Sequence, residues 1–149
     1  MSIIKKFIFI IFITTFASQV SAEVKKMGSH KDWATYVMND ETGKVCFAQS
    51  KPVLQSPKKN TREARLFISF RPGEKITNEI SVTAGYEFNN KNSVIAQSGK
   101  NKYKLDLIQD GFAWMTSNKL ETKMIKTMKK GSRIMITGRT QNGSQTIDH

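Results

Sequence analysis

Arg65-Leu66-Phe67-Ile68-Ser69-Phe70-Arg71, closed by Pro72-Gly73, is the stretch that decides the fold. Its middle is apolar, a charge stands at each end, and Pro-Gly supplies turn chemistry. That is a short β-strand bounded by a reversal, and the same grammar recurs on both sides of it. Downstream, Glu79-Ile80-Ser81-Val82-Thr83-Ala84 alternates with period two, Ile80 and Val82 sharing a face, and stops at Gly85. Residues 102–107 alternate again, with lysine and aspartate on the wet side. Asp110-Gly111 is a favoured hairpin turn leading into Phe112-Ala113-Trp114-Met115, and Val94-Ile95-Ala96 is a shorter strand between polar clusters.

Upstream, residues 23–31 form a polar lead-in. Trp33, Thr35 and Val37 then alternate with Ala34, Tyr36 and Met38, and Asn39-Asp40-Glu41-Thr42-Gly43 turns the chain into Val45-Cys46-Phe47-Ala48. Two apolar runs around a Gly-containing loop predict a β-hairpin. Residues 51–62, with Pro52, Pro57 and paired lysines, read as a loop unsuited to helix or sheet.

One helix is predicted over about 118–131. Asn118 and Glu121 have the spacing of a capping pair, and Leu120, Met124, Ile125 and Met128 recur as an apolar stripe. Gly131 is placed to end it in the left-handed conformation. Beyond it Ile134 and Ile136 alternate with polar residues, and Asn142-Gly143 turns the chain into a returning strand ending at His149. Many short strands, close turns and one helix predict a mainly β fold, a sandwich in preference to a barrel.

Residues 1–22 carry a separate message. Lys5 and Lys6 precede an apolar run broken only by Thr14 and Thr15, and Val20-Ser21-Ala22 presents small residues at the exit. Charge, apolar run and small-residue exit make a secretory signal peptide, with cleavage expected after Ala22. The run is too short for a membrane span, which needs roughly 20 apolar residues. What remains is residues 23–149, enough for one domain. The expected location is the periplasm, or the outer membrane or medium beyond it.

The chain carries a formal +12; Lys5 and Lys6 lie in the leader, leaving +10 after cleavage. That excess favours anionic partners. An exported protein seldom meets nucleic acid, so the partners expected are an anionic envelope or host-surface component, with peripheral membrane contact, or another envelope protein. The excess is mostly lysine, 19 against 5 arginines, which solubility alone also explains. Cys46 is the only cysteine, so no disulfide can form within the chain. It reads as a small buried hydrophobe on a strand, with intermolecular pairing as the alternative.

Catalytic chemistry finds no support. His30 and His149 are the only histidines, placed in segments expected to move, and a zinc site needs several Cys or His at short spacings. The twelve carboxylates are dispersed, and nucleophile, phosphate-loop and calcium-loop motifs are absent. No catalytic residue, metal or cofactor is expected. Trp33 and Trp114 read as core aromatics. The remaining surface signal is basic: Lys58, Lys59 and Arg62 in the long loop, and Lys100, Lys102 and Lys104 along one strand. These six are the candidate anion-binding residues. Lys119, Lys123, Lys126 and Lys130 share a helix face, read first as an ordinary solvated surface.

Several pieces in order resemble the invasion-associated locus B proteins of alphaproteobacteria: Asp32-Trp33, Val45-Cys46, Phe70-Arg71-Pro72, and Asn78 through Tyr86. Ala113-Trp114, Met128-Lys129-Lys130-Gly131 and Gly138-Arg139-Thr140 with Thr146 and Asp148 also fit. The resemblance implies an exported, envelope-associated, immunoglobulin-like sandwich without catalysis, of a type linked to attachment to or entry into host cells. It supplies no functional residues. This chain departs from the pattern by stopping at His149, where similar proteins continue. Either the sequence is truncated or the last strand is short, leaving a sheet edge unpaired. A structural or quality-control accessory, docking on another envelope protein by a sheet edge or the helix, is the alternative function.

Overall fold

The computed structural model describes residues 23–59 and 61–149. The leader and its cleavage point therefore lie outside the described residues. The described chain is a mainly β sandwich of two antiparallel sheets with a single helix. The strands are β1 (Lys25–His30), β2 (Trp33–Asp40), β3 (Gly43–Ser50), β4 (Gln55–Ser56), β5 (Ala64–Arg71), β6 (Ile76–Ala84) and β7 (Val94–Ser98). After them come β8 (Asn101–Leu105), β9 (Leu107–Gln109), β10 (Phe112–Trp114), helix α1 (Asn118–Lys130), β11 (Met135–Arg139) and β12 (Gln145–Asp148). The large sheet has the order β1-β2-β3-β5-β6-β10-β9, and the small one β4-β12-β11-β7-β8.

The core forms where the inward faces meet. Alternation on β6 puts Ile80, Val82 and Ala84 inside, at most 1% exposed. Leu66 from β5, Val94 and Ala96 from β7, Leu105 from β8, Ile136 from β11 and Met124 from α1 join the same cluster. The small sheet and the helix therefore cover one face of the large sheet. Phe88, in the connection from β6 to β7, closes the core.

Several expectations need correction. The lead-in is a strand: β1 pairs with β2 along its length, but all six of its residues are exposed, so no burial pattern marks it. His30 is part of that strand. His149 is likewise fixed, exchanging two backbone hydrogen bonds with Leu54 (its N–H donates at 2.9 Å) and Val53 (whose N–H reaches its carbonyl at 2.7 Å). The long loop contributes Gln55–Ser56 to the small sheet, paired with β12. The strand expected over 102–107 is two strands. β8 ends at Leu105, Asp106 breaks it, and β9 crosses to the other sheet, leaving Leu107 50% exposed. β12 lies between β4 and β11, with Ile147 and Asp148 paired to Ser56 and Gln55 on the β4 side.

The helix also differs in detail. Its cap is Ser117, one residue earlier than expected, whose Oγ accepts the Leu120 N–H. Gly131 ends it in an extended conformation (φ −91°), not a left-handed one. A Cβ there would stand 2.7 Å from Ser98 Oγ, so a larger residue would have to displace that hydroxyl. Leu120 is 43% exposed, and the buried stripe instead includes Glu121.

Glu121 has a role of its own. β10 stops opposite Ser81, and beyond it the Ile80 N–H would lack a strand partner. The Glu121 carboxylate accepts that N–H at 3.0 Å, standing in for the next residue of the strand. Burial pushes this carboxyl above its ordinary value near 4.5, the Ile80 N–H pulls it down, and Glu79 adds a smaller upward push. A raised carboxyl favours the fold below the ordinary value, and that contribution is lost as pH rises through the folded one. Glu121→Gln keeps the acceptor oxygen and removes the charge. It is expected to raise the melting temperature at neutral pH, with the gain vanishing in acid. A thermal melt series across that range checks this; a gain present only in acid would contradict it.

Candidate functional site

The six candidate cations do not form one site. Lys58 and Lys59 are exposed just after β4, at one edge of the small sheet. Lys100, Lys102 and Lys104 are exposed at and along β8, the opposite edge. Arg62 has turned inward: its side chain is 10% exposed and its guanidinium pairs with Asp148, itself 7% exposed. Its charge is committed to holding the loop onto β12. Burial pushes the Asp148 carboxyl up, against the opposing pull of Arg62 and Gln55.

The structure adds a neighbour to the β8 lysines that sequence reading kept apart. Tyr103 turns inward from β8, and its hydroxyl lies 2.7 Å from Thr127 Oγ1 on α1. That contact brings the strand against the helix. A groove of about 260 Å³ opens between them, lined by Lys102, Lys104, Lys123, Asp106 and Leu120, with Met115 beside them. Lys119, Lys126 and Lys130 extend the same basic surface along the helix, all exposed. The face predicted to be plain solvated helix is therefore continuous with the strand lysines.

No lysine takes part in a salt bridge among the described residues. Among the described residues, every salt bridge uses an arginine: Arg62 with Asp148, Arg65 with Glu63, and Arg71 with Glu74 and Glu79. Asp106, the acid in the groove, accepts a hydrogen bond from Thr116 Oγ1 at 3.3 Å.

The described residues hold no group of three His, Cys, Asp or Glu placed to bind a metal. No described helix is long and apolar enough to cross a membrane. Cys46 is half-buried on β3, opposite Val37 and Phe70. Trp33 packs against the core as expected. Trp114 does not: it pairs with Ser81, on the side of the large sheet away from Ile80 and Val82. There it ends a row of five aromatic rings: Tyr36, Phe47, Phe67, Phe112 and Trp114. Ser81 and Thr83 on β6 are small enough for Phe67 to reach across to Phe112, with centroids 6.1 Å apart.

No known protein family, curated protein or solved structure matches this chain.

Proposed function

We propose that this chain is an exported, non-enzymatic binding module of the cell envelope, of the invasion-associated locus B type, that holds an anionic surface. Its contact face is the basic groove between β8 and α1, with Lys58 and Lys59 as distant attractors. The observation that supports this reading is the convergence of Lys102, Lys104 and Lys123 on one groove, with no ion pair to any of them among the described residues. Unpaired surface lysines gain about 1 kcal/mol each beside an anionic membrane.

The test is binding of the exported protein to phosphatidylglycerol vesicles and to lipopolysaccharide at low salt. Lys102→Gln, Lys104→Gln and Lys123→Gln together should weaken it by about a hundredfold, three such contributions. Wild-type binding should collapse as ionic strength rises and the Debye length shrinks. Unchanged affinity in the triple variant would remove the groove from the account.

The accessory reading has one observation in its favour. β1 is an edge strand whose six exposed residues leave one side of its backbone open for strand addition. It predicts instead a protein partner that co-purifies at high salt and survives the triple lysine substitution.

A further inference from the structure

The aromatic row on the outer face of the large sheet ends in a feature that the anion-binding groove does not explain. Successive ring centroids are 5.1, 6.2, 6.1 and 5.5 Å apart from Tyr36 to Trp114. Tyr36 and Phe47 are nearly parallel, at 14°, so Phe47 covers one face of Tyr36. Tyr36 is terminal, and its other face looks toward β1. There the residues sharing its side of the sheet are Lys26 and Ser29. No described cation sits over the ring.

A groove of about 410 Å³ lies at this end, bordered by Tyr36, Gln49, Ser29, Lys26, Lys31 and Lys51. Asp32 is the one acid that borders it. Gln49 Nε2 donates to the Tyr36 hydroxyl at 3.3 Å, which leaves the hydroxyl a proton to donate and Gln49 a carbonyl oxygen to accept. Lys31 holds the turn between β1 and β2 at φ +52°, a conformation glycine adopts without strain and lysine does not.

We propose that this groove binds an anionic sugar: a pyranose ring carrying carboxylate or phosphate, stacked on Tyr36. The free ring face suits the C–H face of a sugar. The Tyr36–Gln49 pair offers both a donor and an acceptor to sugar hydroxyls. Lys26, Lys31 and Lys51 supply the counter-charge. The row behind Tyr36 holds its ring in place before the ligand arrives, which lowers the ordering cost of binding. A simple anion has no use for the ring, and an apolar peptide has no use for three lysines. The site is on the other sheet from the β8–α1 groove and stands whether or not that groove binds anything.

Calorimetric titration of the exported protein with oligogalacturonate, its uncharged methyl ester, glucose 6-phosphate and inorganic phosphate tests it. Oligogalacturonate or glucose 6-phosphate should bind, and whichever does identifies the acid group. The ester and inorganic phosphate should each bind about tenfold more weakly or worse, lacking respectively the charge and the ring. Tyr36→Leu should lower affinity about fivefold, the scale of one aromatic contact. Lys31→Gly is the decisive variant, because it relieves the backbone while removing the charge. It should lower affinity about fivefold with an unchanged or higher melting temperature. The Lys102, Lys104 and Lys123 triple variant should bind as wild type. Failure of both charged sugars to bind, equal binding of ester and acid, or full affinity in Lys31→Gly would overturn the proposal. So would dimerisation that covers Tyr36, shown by sedimentation of wild type against Tyr36→Leu.

Discussion

Asp148→Ala is expected to destabilise the fold by about 3–5 kcal/mol, the cost of leaving a buried charge without its partner. Arg62 would keep its guanidinium under the loop, with the Ser56 carbonyl at 3.4 Å as its remaining hydrogen-bond acceptor and the Tyr86 ring 6.0 Å away. More than one pair is lost. Asp148 Oδ1 also accepts from Gln55 Nε2 at 3.0 Å. Gln55 in turn accepts the Arg62 backbone N–H at 2.9 Å and donates to its carbonyl at 3.2 Å. The three residues form one knot fastening β4 and the loop after it to β12. Denaturant unfolding of the single variant measures the loss. Arg62→Met with Asp148→Leu should recover most of it, since an apolar pair of similar volume asks for no counter-charge. A single variant within about 1 kcal/mol of wild type would show the pair to be solvated instead of buried.

Phe88→Ala should cost about 3–5 kcal/mol, the range for truncating a buried aromatic. Phe88 is 2% exposed and sits edge-on to Tyr86, with ring centroids 5.2 Å apart. Gly138 on β11 lies directly beneath: a Cβ there would come within 2.7 Å of both the Phe88 ring and the Tyr86 hydroxyl. The missing side chain of Gly138 is thus filled by Phe88, and little else can collapse into the gap. The backbone around Phe88 is pinned as well, through Gln141 Nε2 to its carbonyl at 2.8 Å and the Asn89 N–H to the Arg139 carbonyl at 2.9 Å. Those bonds stop the segment from relaxing inward. A calorimetric melt checks the size of the effect, and a loss under about 1 kcal/mol would mean the cavity refills.

The parts of the fold that could be read from sequence are those whose two faces differ. β6 announces itself because Ile80, Val82 and Ala84 are sealed while Glu79 and Thr83 are not. The β2–β3 hairpin is readable for a local reason: Asp40 Oδ1 accepts both the N–H and the hydroxyl of Thr42, so the turn is written in neighbouring letters. β1 could not be read, because an edge strand with six exposed residues has no period to detect. The break at Asp106 was hidden by alternation that continues in the letters while the chain changes sheets. The aromatic row was hidden by the opposite difficulty. Leu66-Phe67-Ile68 reads as one apolar run, although Phe67 faces away from the two residues beside it.

Charge was legible as an amount and not as a place. Lys102 and Lys104 were recognisable, but their meeting with Lys123 depends on how α1 packs against β8. Arg62 was misread as a surface attractor because its partner lies 86 residues away. Glu121 looked like half of a cap because its spacing from Asn118 fits one; its real acceptor role depends on where β10 stops.

The single-residue step at Asp106 has a mechanical consequence. With β8 in one sheet and β9 in the other, the layers are joined at that corner through Asp106 alone, so Leu105 and Leu107 stand at most about 7 Å apart. At that corner the layers cannot slip lengthwise past each other by more than that span. A pull applied along the lysine edge of β8 therefore passes through Asp106 into β9 and the large sheet.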